Sequence, residues 1–276
     1  MGTLEFAKGH GTKNDFVLVA DPDDRLALTP ELVRALCDRR VGVGADGVLR
    51  AVRGAHVAEW AGEPGVWFMD YRNADGSVAE MCGNGLRVFA RYLADEGLAD
   101  GPSMDIGTRA GLRRAVLRPD GLVDASMGQV RLGADVEVAL GGQVYPARAV
   151  DVGNPHAVAF VPPGTVDGLD LSVAPSWQPA EAFPDGVNCE FAEIVGSRHI
   201  KMRVFERGVG ETFSCGTGIV ASAALFCADA GDGEVEVDVR GGRLTVTVDA
   251  GQATLTGPAV VVAHGTLDLE ALGALA

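Results

Sequence analysis

The sequence contains no C-x-x-C pair, no apolar run approaching the roughly 20 residues that span a bilayer, and no cluster of lysines or arginines. Each absence closes off a class of function. The five cysteines (Cys37, Cys82, Cys189, Cys215, Cys227) are odd in number and widely spaced, which suggests neither a disulfide framework nor a metal site. They are expected to be free thiols in a reducing compartment. Basic residues are outnumbered, 23 Lys and Arg against 38 Asp and Glu, and the net charge of −15 repels both a phosphate backbone and anionic lipid. Nucleic acid and membrane surfaces are therefore excluded as partners. The opening stretch MGTLEFAKGH has no apolar segment of signal-peptide length, so a soluble, cytoplasmic protein is expected.

What the chain does have is length and repetition. Its 276 residues, 47% of them hydrophobic, favour two domains over one. The stretch AEMCGNGLRVFA (79–90) is echoed by ETFSCGTGIV (211–220), each placing a cysteine before a Gly-x-Gly and an apolar segment. Aligning Cys82 on Cys215 also brings RAGLRRAV (109–116) close to RGGRLTVTV (240–248), and GTKNDFVLV (11–19) close to GNPHAVAFV (153–161). The chain reads as a duplication.

Most of each half consists of short β-branched runs punctuated by glycine, the grammar of antiparallel hairpins. Each half also carries one principal helix. After Cys82, Leu86, Phe89, Ala90 and Leu93 follow helical spacing, with Arg87 and Arg91 expected on a wetter side. After Cys215, the run IVASAALFCADAG is apolar nearly all round, which suits a helix enclosed by a curved sheet. A further helix is predicted from Thr29-Pro30, a cap followed by proline, carrying Val33, Leu36 and Cys37 inward. The expected lobes are 1–127 and 128–261, with 262–276 a candidate to complete the first.

A cysteine at a helix mouth meets the positive end of the macrodipole and unpaired backbone N–H groups, which favour the thiolate. The flanking glycines let a ligand approach the backbone, and their N–H groups can hold a carboxylate. If the two mouths face one cleft, a bound carboxylate has a sulfur on each side of its neighbouring carbon. One thiolate then removes the α-proton and the opposite thiol supplies another, inverting the centre without a cofactor or metal. The bland alternative is a small buried residue in a tight turn. Cys227 and Cys37 are expected in the core, and Cys189 along a strand.

Five motifs in order, NADGSVAEMCGNG, GNPH, FPDGVN, ERGVGET and SCGTG, resemble those of diaminopimelate epimerase. The resemblance runs from Lys8 to Ala259. It implies an α/β (α+β) fold of two pseudo-symmetric lobes, each a curved, mainly antiparallel sheet around a central helix, commonly assembled as a homodimer. It implies interconversion of LL- and meso-2,6-diaminopimelate, with Cys82 and Cys215 as the acid/base pair and His156 and Glu206 assisting the thiols. Gly83, Asn84, Gly216 and Thr217 match the donors around the reacting carboxylate. Asn14, Asn73, Asn154, Asn188, Glu206 and Arg207 match contacts that fix the substrate.

The residues themselves support part of this. In HIKMRVFERG, Ile200, Met202 and Val204 define one strand face, and Glu206 continues that parity inward, where a carboxylate needs a partner or a task. The planar fork of Arg207 suits a distal carboxylate. His10 reads as loop structure, while Asp75 and Glu211 read as braces of their loops. Two departures stand out: Lys13 occupies the second glycine position of the usual first motif, and Gly47 stands where many members have glutamine. The rival readings are a proline or hydroxyproline racemase with the same paired cysteines, a thiol redox protein, and a non-catalytic binding protein.

Overall fold

The computed structural model describes residues 2–273. Its chain divides into two compact units, one ending at Ala125 and resuming at Pro258, the other spanning Ser126–Gly257. These divisions precede the expected boundaries at 127 and 261. The return of the chain to the first unit thus begins ahead of residue 262, and residues 274–276 of the expected closing segment lie outside the described residues.

In the first unit the strands run, in spatial order, Val260–Asp268, Thr3–Gly11, Asn14–Ala20, Gly47–Arg53, Trp67–Asn73, Ser103–Thr108, Gly111–Leu117 and the start of Val123–Gln129. Neighbours pair antiparallel except at the third and fifth junctions, which are parallel. The second unit repeats the succession with Arg131–Leu140, Gln143–Asp151, Pro155–Phe160, Asn188–Gly196, His199–Glu206, Gly233–Val239, Gly242–Asp249 and Gln252–Gly257. Its parallel steps also fall at the third and fifth junctions. The fold is a mixed α+β one, mostly sheet with few helices.

Glycine recurs in the tight turns. Leu140 opposes Gln143 across Gly141-Gly142 (φ 60° and 82°), and Asp249 opposes Gln252 across Ala250-Gly251 (φ 48° and 77°). Both are two-residue loops with positive φ at both centres, whose twist matches that of the flanking strands.

Helix α1 (Pro30–Cys37) opens on Thr29, whose hydroxyl accepts from Leu32 N at 3.2 Å. Helix α2 (Gly83–Asp95) is the central helix of the first unit and α3 (Gly216–Ala230) that of the second. The strand Asn14–Ala20 explains its unbroken FVLV run by lying between two helices: Phe16 and Leu18 join the cluster around α2, while Val17 and Val19 join Val33 and Leu36 of α1. Helix α3 is buried continuously from Gly216 to Ala224, as its apolar circumference requires. No helix among the described residues is long and apolar enough to cross a membrane.

One expectation fails on α2. Arg87, read as marking a wetter side, has no exposed surface. The helix is enclosed there as well, and the guanidinium is held by Asn84 Oδ1 at 3.0 Å, Gly83 O at 3.4 Å and Pro258 O at 3.5 Å. A long side chain with five donors survives burial because backbone and amide oxygens surround it.

The two sequence departures have local explanations. Gly11 opposes Asn14, so Thr12 and Lys13 form a two-residue turn with φ of 51° and 65°. Lys13 thus adopts a left-handed conformation that glycine takes without steric cost. At Gly47 a Cβ would fall 2.5 Å from Arg72 O and 2.7 Å from the Tyr71 ring, so the backbone and an aromatic fill the place a side chain would need. Lys13→Gly is expected to raise stability by about 0.5–1 kcal/mol and Gly47→Ala to lower it by about 1–3 kcal/mol in denaturant titrations. Opposite signs in either case would contradict this account of the two positions.

Candidate functional site

Two half-sites are built alike, one at each central helix mouth. In the first unit Cys82 is the N-cap of α2, in extended conformation (φ −143°, ψ 118°), and its Sγ accepts from Gly85 N at 3.3 Å. A capping sulfur satisfies one of the orphan donors of the first turn. The same sulfur donates to Asn14 Oδ1 at 3.6 Å. Asn14 Oδ1 also accepts from Asn84 Nδ2 at 3.4 Å, and Asn14 Nδ2 donates to Asp46 Oδ2 at 2.8 Å. The asparagine after the Thr12-Lys13 turn is therefore delivered to the cysteine. Behind it lies Arg87, whose burial pulls its guanidinium down to about 10 while the Cys82 sulfur acts in the opposite sense.

Asn73 is not drawn into this group. It ends its strand by donating from Nδ2 to Ser77 Oγ at 3.0 Å, while Asp75 Oδ1 accepts from Ser77 N at 2.8 Å, so the two brace one turn. His10 also differs from the reading as loop structure. It lies within the strand Thr3–Gly11, opposite Asp15, because the turn begins only after Gly11.

In the second unit Cys215 is the N-cap of α3 (φ −106°, ψ 111°) and makes no side-chain cap bond. Its Sγ lies 3.4 Å from Thr217 Oγ1. That hydroxyl accepts from Asn154 Nδ2 at 3.3 Å, and Asn154 Oδ1 lies 2.9 Å from His156 Nε2. The other ring nitrogen, Nδ1, lies 2.7 Å from Glu190 Oε1, and neither side chain of this pair is exposed. GNPH and SCGTG, distant in sequence, are thereby joined in one hydrogen-bonded chain.

Glu206 stays half-buried at the end of the strand His199–Glu206, and its Oε1 accepts from the Thr212 hydroxyl. Ile200, Met202 and Val204 are buried on the parity that Glu206 continues. Asn188 Oδ1 accepts from the backbone N of Arg207 at 2.9 Å, and Arg207 Nη1 donates to Asp185 O at 3.2 Å. Asn188 thus secures the chain that carries Arg207. Glu211 pairs with Arg203 at 2.7 Å and Arg240 at 2.8 Å, bracing its segment against the strand His199–Glu206 and the turn that holds Arg240.

The helix-mouth argument for a lowered thiol pKa does not hold at Cys215. Burial pushes this thiol well above its ordinary range, and the Glu206 and Glu190 carboxyls push the same way; the Thr217 hydroxyl and Gly218 N–H oppose them. Desolvation and neighbouring acids outweigh the dipole here. Burial also raises Cys37 and Cys189, each to about 12, and Cys227. Among the described residues no group of three or more His, Cys, Asp or Glu is placed to hold a metal ion.

Sequence reasoning missed Glu190, Thr212 and the interior position of Arg87. Glu190 carried one readable signal, a lone carboxylate inside the run VNCEFA.

The sequence model of the family described as Diaminopimelate epimerase matches residues 6–133 and 148–262. A diaminopimelate epimerase of Thermobifida fusca is 51% identical, covering 98% of this chain and all (100%) of its own length. One from Streptomyces coelicolor is 50% identical, with 96% of each chain covered. Among solved structures, a phenazine biosynthesis protein of Bacillus anthracis aligns with a TM-score of 0.73 at 19% identity, covering 97% of this chain and 99% of its own. A hydroxyproline epimerase from Agrobacterium vitis aligns with a TM-score of 0.70 at 16% identity, covering 98% and 95%. At such identities the structural likeness speaks for the fold.

Four of the five thiols are buried, and Cys82 is half-buried. A short iodoacetamide pulse near neutral pH, followed by peptide mass mapping, is expected to label Cys82 ahead of Cys215, Cys37, Cys189 and Cys227. Earlier labelling of Cys215 would contradict the burial and charge environment described for it.

Proposed function

The chain belongs to the diaminopimelate epimerase family, and we propose that it interconverts LL- and meso-2,6-diaminopimelate by proton transfer between its own thiols and the substrate α-carbon. The observation that carries this reading is the repeated half-site: each unit opens its central helix on a cysteine followed by Gly-x-Gly. Inverting a carbon centre by deprotonation and reprotonation requires a base on one face and an acid on the other. One thiolate and one thiol meet that requirement.

In the reaction the thiolate sulfur takes the α-proton as its S–H bond forms, and the C–H electron pair moves into the carbon and its carboxylate. The second thiol then gives up its proton to the opposite face, leaving a thiolate. Protons balance, and for the reverse direction the sulfurs exchange roles. The developing negative charge is the main obstacle, and N–H groups of Gly83, Asn84, Gly216 and Thr217 are suited to meet it at the substrate carboxylate. His156 and Glu206 assist the proton transfers at the sulfurs. Asn14, Asn73, Asn154, Asn188, Glu206 and Arg207 fix the substrate, with the Arg207 fork on the distal carboxylate. The buried, acid-flanked Cys215 favours the thiol form, so it is suited to rest as the protonated partner. No cofactor is needed for this chemistry. The reading extends to a cytoplasmic homodimer, which sedimentation of the purified protein would test.

The direct test is incubation of reduced protein with LL-diaminopimelate in D2O, following stereochemistry and α-deuteration by NMR. Meso product carrying solvent deuterium is expected, and Cys82→Ala or Cys215→Ala should each lower turnover by at least about 100-fold, since positioned acid/base groups contribute roughly 100- to 10,000-fold. Full activity in either variant, or no conversion by folded, reduced protein, would overturn the reading.

A further inference from the structure

Glu190 belongs to no motif, yet it is fully enclosed in the second half-site. Its strand, Asn188–Gly196, runs parallel to Pro155–Phe160, with His156 opposite Asn188 and Val158 opposite Glu190. The carboxyl is roofed by the first turn of α3: a Cβ on Gly218 would fall 2.5 Å from Glu190 Oε1. The last position of the Cys-Gly-Thr-Gly motif, Gly218, is therefore bare because a carboxyl lies beneath it. Glu190 Oε2 has no hydrogen-bond partner among the described residues.

From Glu190 the hydrogen-bonded chain runs through His156, Asn154 and Thr217 to the Cys215 sulfur. Donor and acceptor inventories allow such a chain to run in one direction at a time. If Glu190 carries a proton, its O–H donates to His156 Nδ1, Nε2–H donates to Asn154 Oδ1, and Asn154 Nδ2–H donates to Thr217 Oγ1. The Thr217 proton is then left for the sulfur. If Glu190 is ionised and the ring neutral, Nδ1 carries the proton and Nε2 must accept. Asn154 and Thr217 then turn round, and the sulfur must supply a proton instead. An imidazolium facing a carboxylate is the third possibility.

The enclosure of the carboxyl and its unpartnered oxygen select the first arrangement. The ionised forms would bury a carboxylate with one oxygen unmet, at zero exposure, whereas the carbonyl oxygen of a neutral acid loses far less on desolvation. Burial accordingly pushes the Glu190 carboxyl up; His156 and the residue's own backbone N–H oppose this, and Glu206 adds to it.

We propose that Glu190 is a positioning residue which, as a neutral carboxylic acid, fixes His156 in its Nε2–H tautomer and so aims the Thr217 hydroxyl at the Cys215 sulfur. An O–H directed at sulfur supports the thiolate that Cys215 becomes once it has given up its proton, against the opposing push of burial. The proposal rests on the reading of Cys215 and His156 as part of the acid/base machinery.

The test is long-range 15N–1H NMR of 15N-histidine-labelled protein, with the His156 signals assigned by their loss in His156→Gln. The expected spectrum has a protonated Nε2 and an unprotonated, hydrogen-bonded Nδ1. Glu190→Gln, whose amide still donates to Nδ1, should keep this signature and lose less than about tenfold in kcat. Glu190→Leu should give mixed tautomers and a loss above tenfold in kcat with KM little changed. An Nδ1–H or doubly protonated ring in the wild type would overturn the proposal, as would an unchanged Nε2–H signature in Glu190→Leu. Should that variant fail to fold, the wild-type and Glu190→Gln spectra still decide. The tautomer is read without substrate, so a protein with the expected spectrum but no action on diaminopimelate would refute the proposed function and leave the assignment of Glu190 standing.

Discussion

A helix wrapped by its own sheet can offer chemistry only at its ends, and this constraint organises both units. The flank of α3 is buried from Gly216 to Ala224, and α2 hides even an arginine. What is left is the N-terminus, where the macrodipole and unpaired N–H groups gather. A cysteine stands there in both units, and a short strand delivers an asparagine to each: Asn14 to Cys82 directly, and Asn154, through Thr217, to Cys215. In each unit this asparagine enters the third strand of the repeated succession.

Identical scaffolding does not impose identical electrostatics. The first half-site has a buried guanidinium at its back, held by neutral oxygens. The second has two carboxyls near its sulfur, one of them fully enclosed. Strand succession and helix placement are set by hydrophobic pattern and turns, which tolerate changes of buried polar residues as long as each finds partners. Charge could thus diverge between the halves while the fold stayed the same.

Much of this was legible in the sequence, for identifiable reasons. Glycine-bounded β-branched runs specify hairpins locally, and the Cys-Gly-x-Gly pairs announce helix starts without any tertiary information. The strand face of Glu206 followed from simple alternation. Arg87 misled because periodicity reports which side of a helix is more polar, not whether that side meets water. The role of Glu190, beyond its standing as a carboxylate in an apolar run, was illegible because it depends on two partners remote in the chain, His156 on the neighbouring parallel strand and Gly218 on the helix above. The steric reason for Gly47 likewise required the Tyr71 ring, which only the assembled sheet brings near.

The pairing of Thr3–Gly11 with Val260–Asp268 has a consequence for how the chain comes into being. Thr3 opposes Asp268, so the two ends of the described chain are neighbours in the finished sheet. During synthesis Thr3–Gly11 lacks this partner until Val260–Asp268 has followed all of Ser126–Gly257 out of the ribosome, whereas Ser126–Gly257 is contiguous and can complete itself earlier. The earlier-made half is therefore the later to close, with an open strand edge awaiting Val260–Asp268. The same adjacency means that a short peptide linking Asp268 back to Thr3, with the chain opened in a loop elsewhere, would preserve the pairing of these two strands.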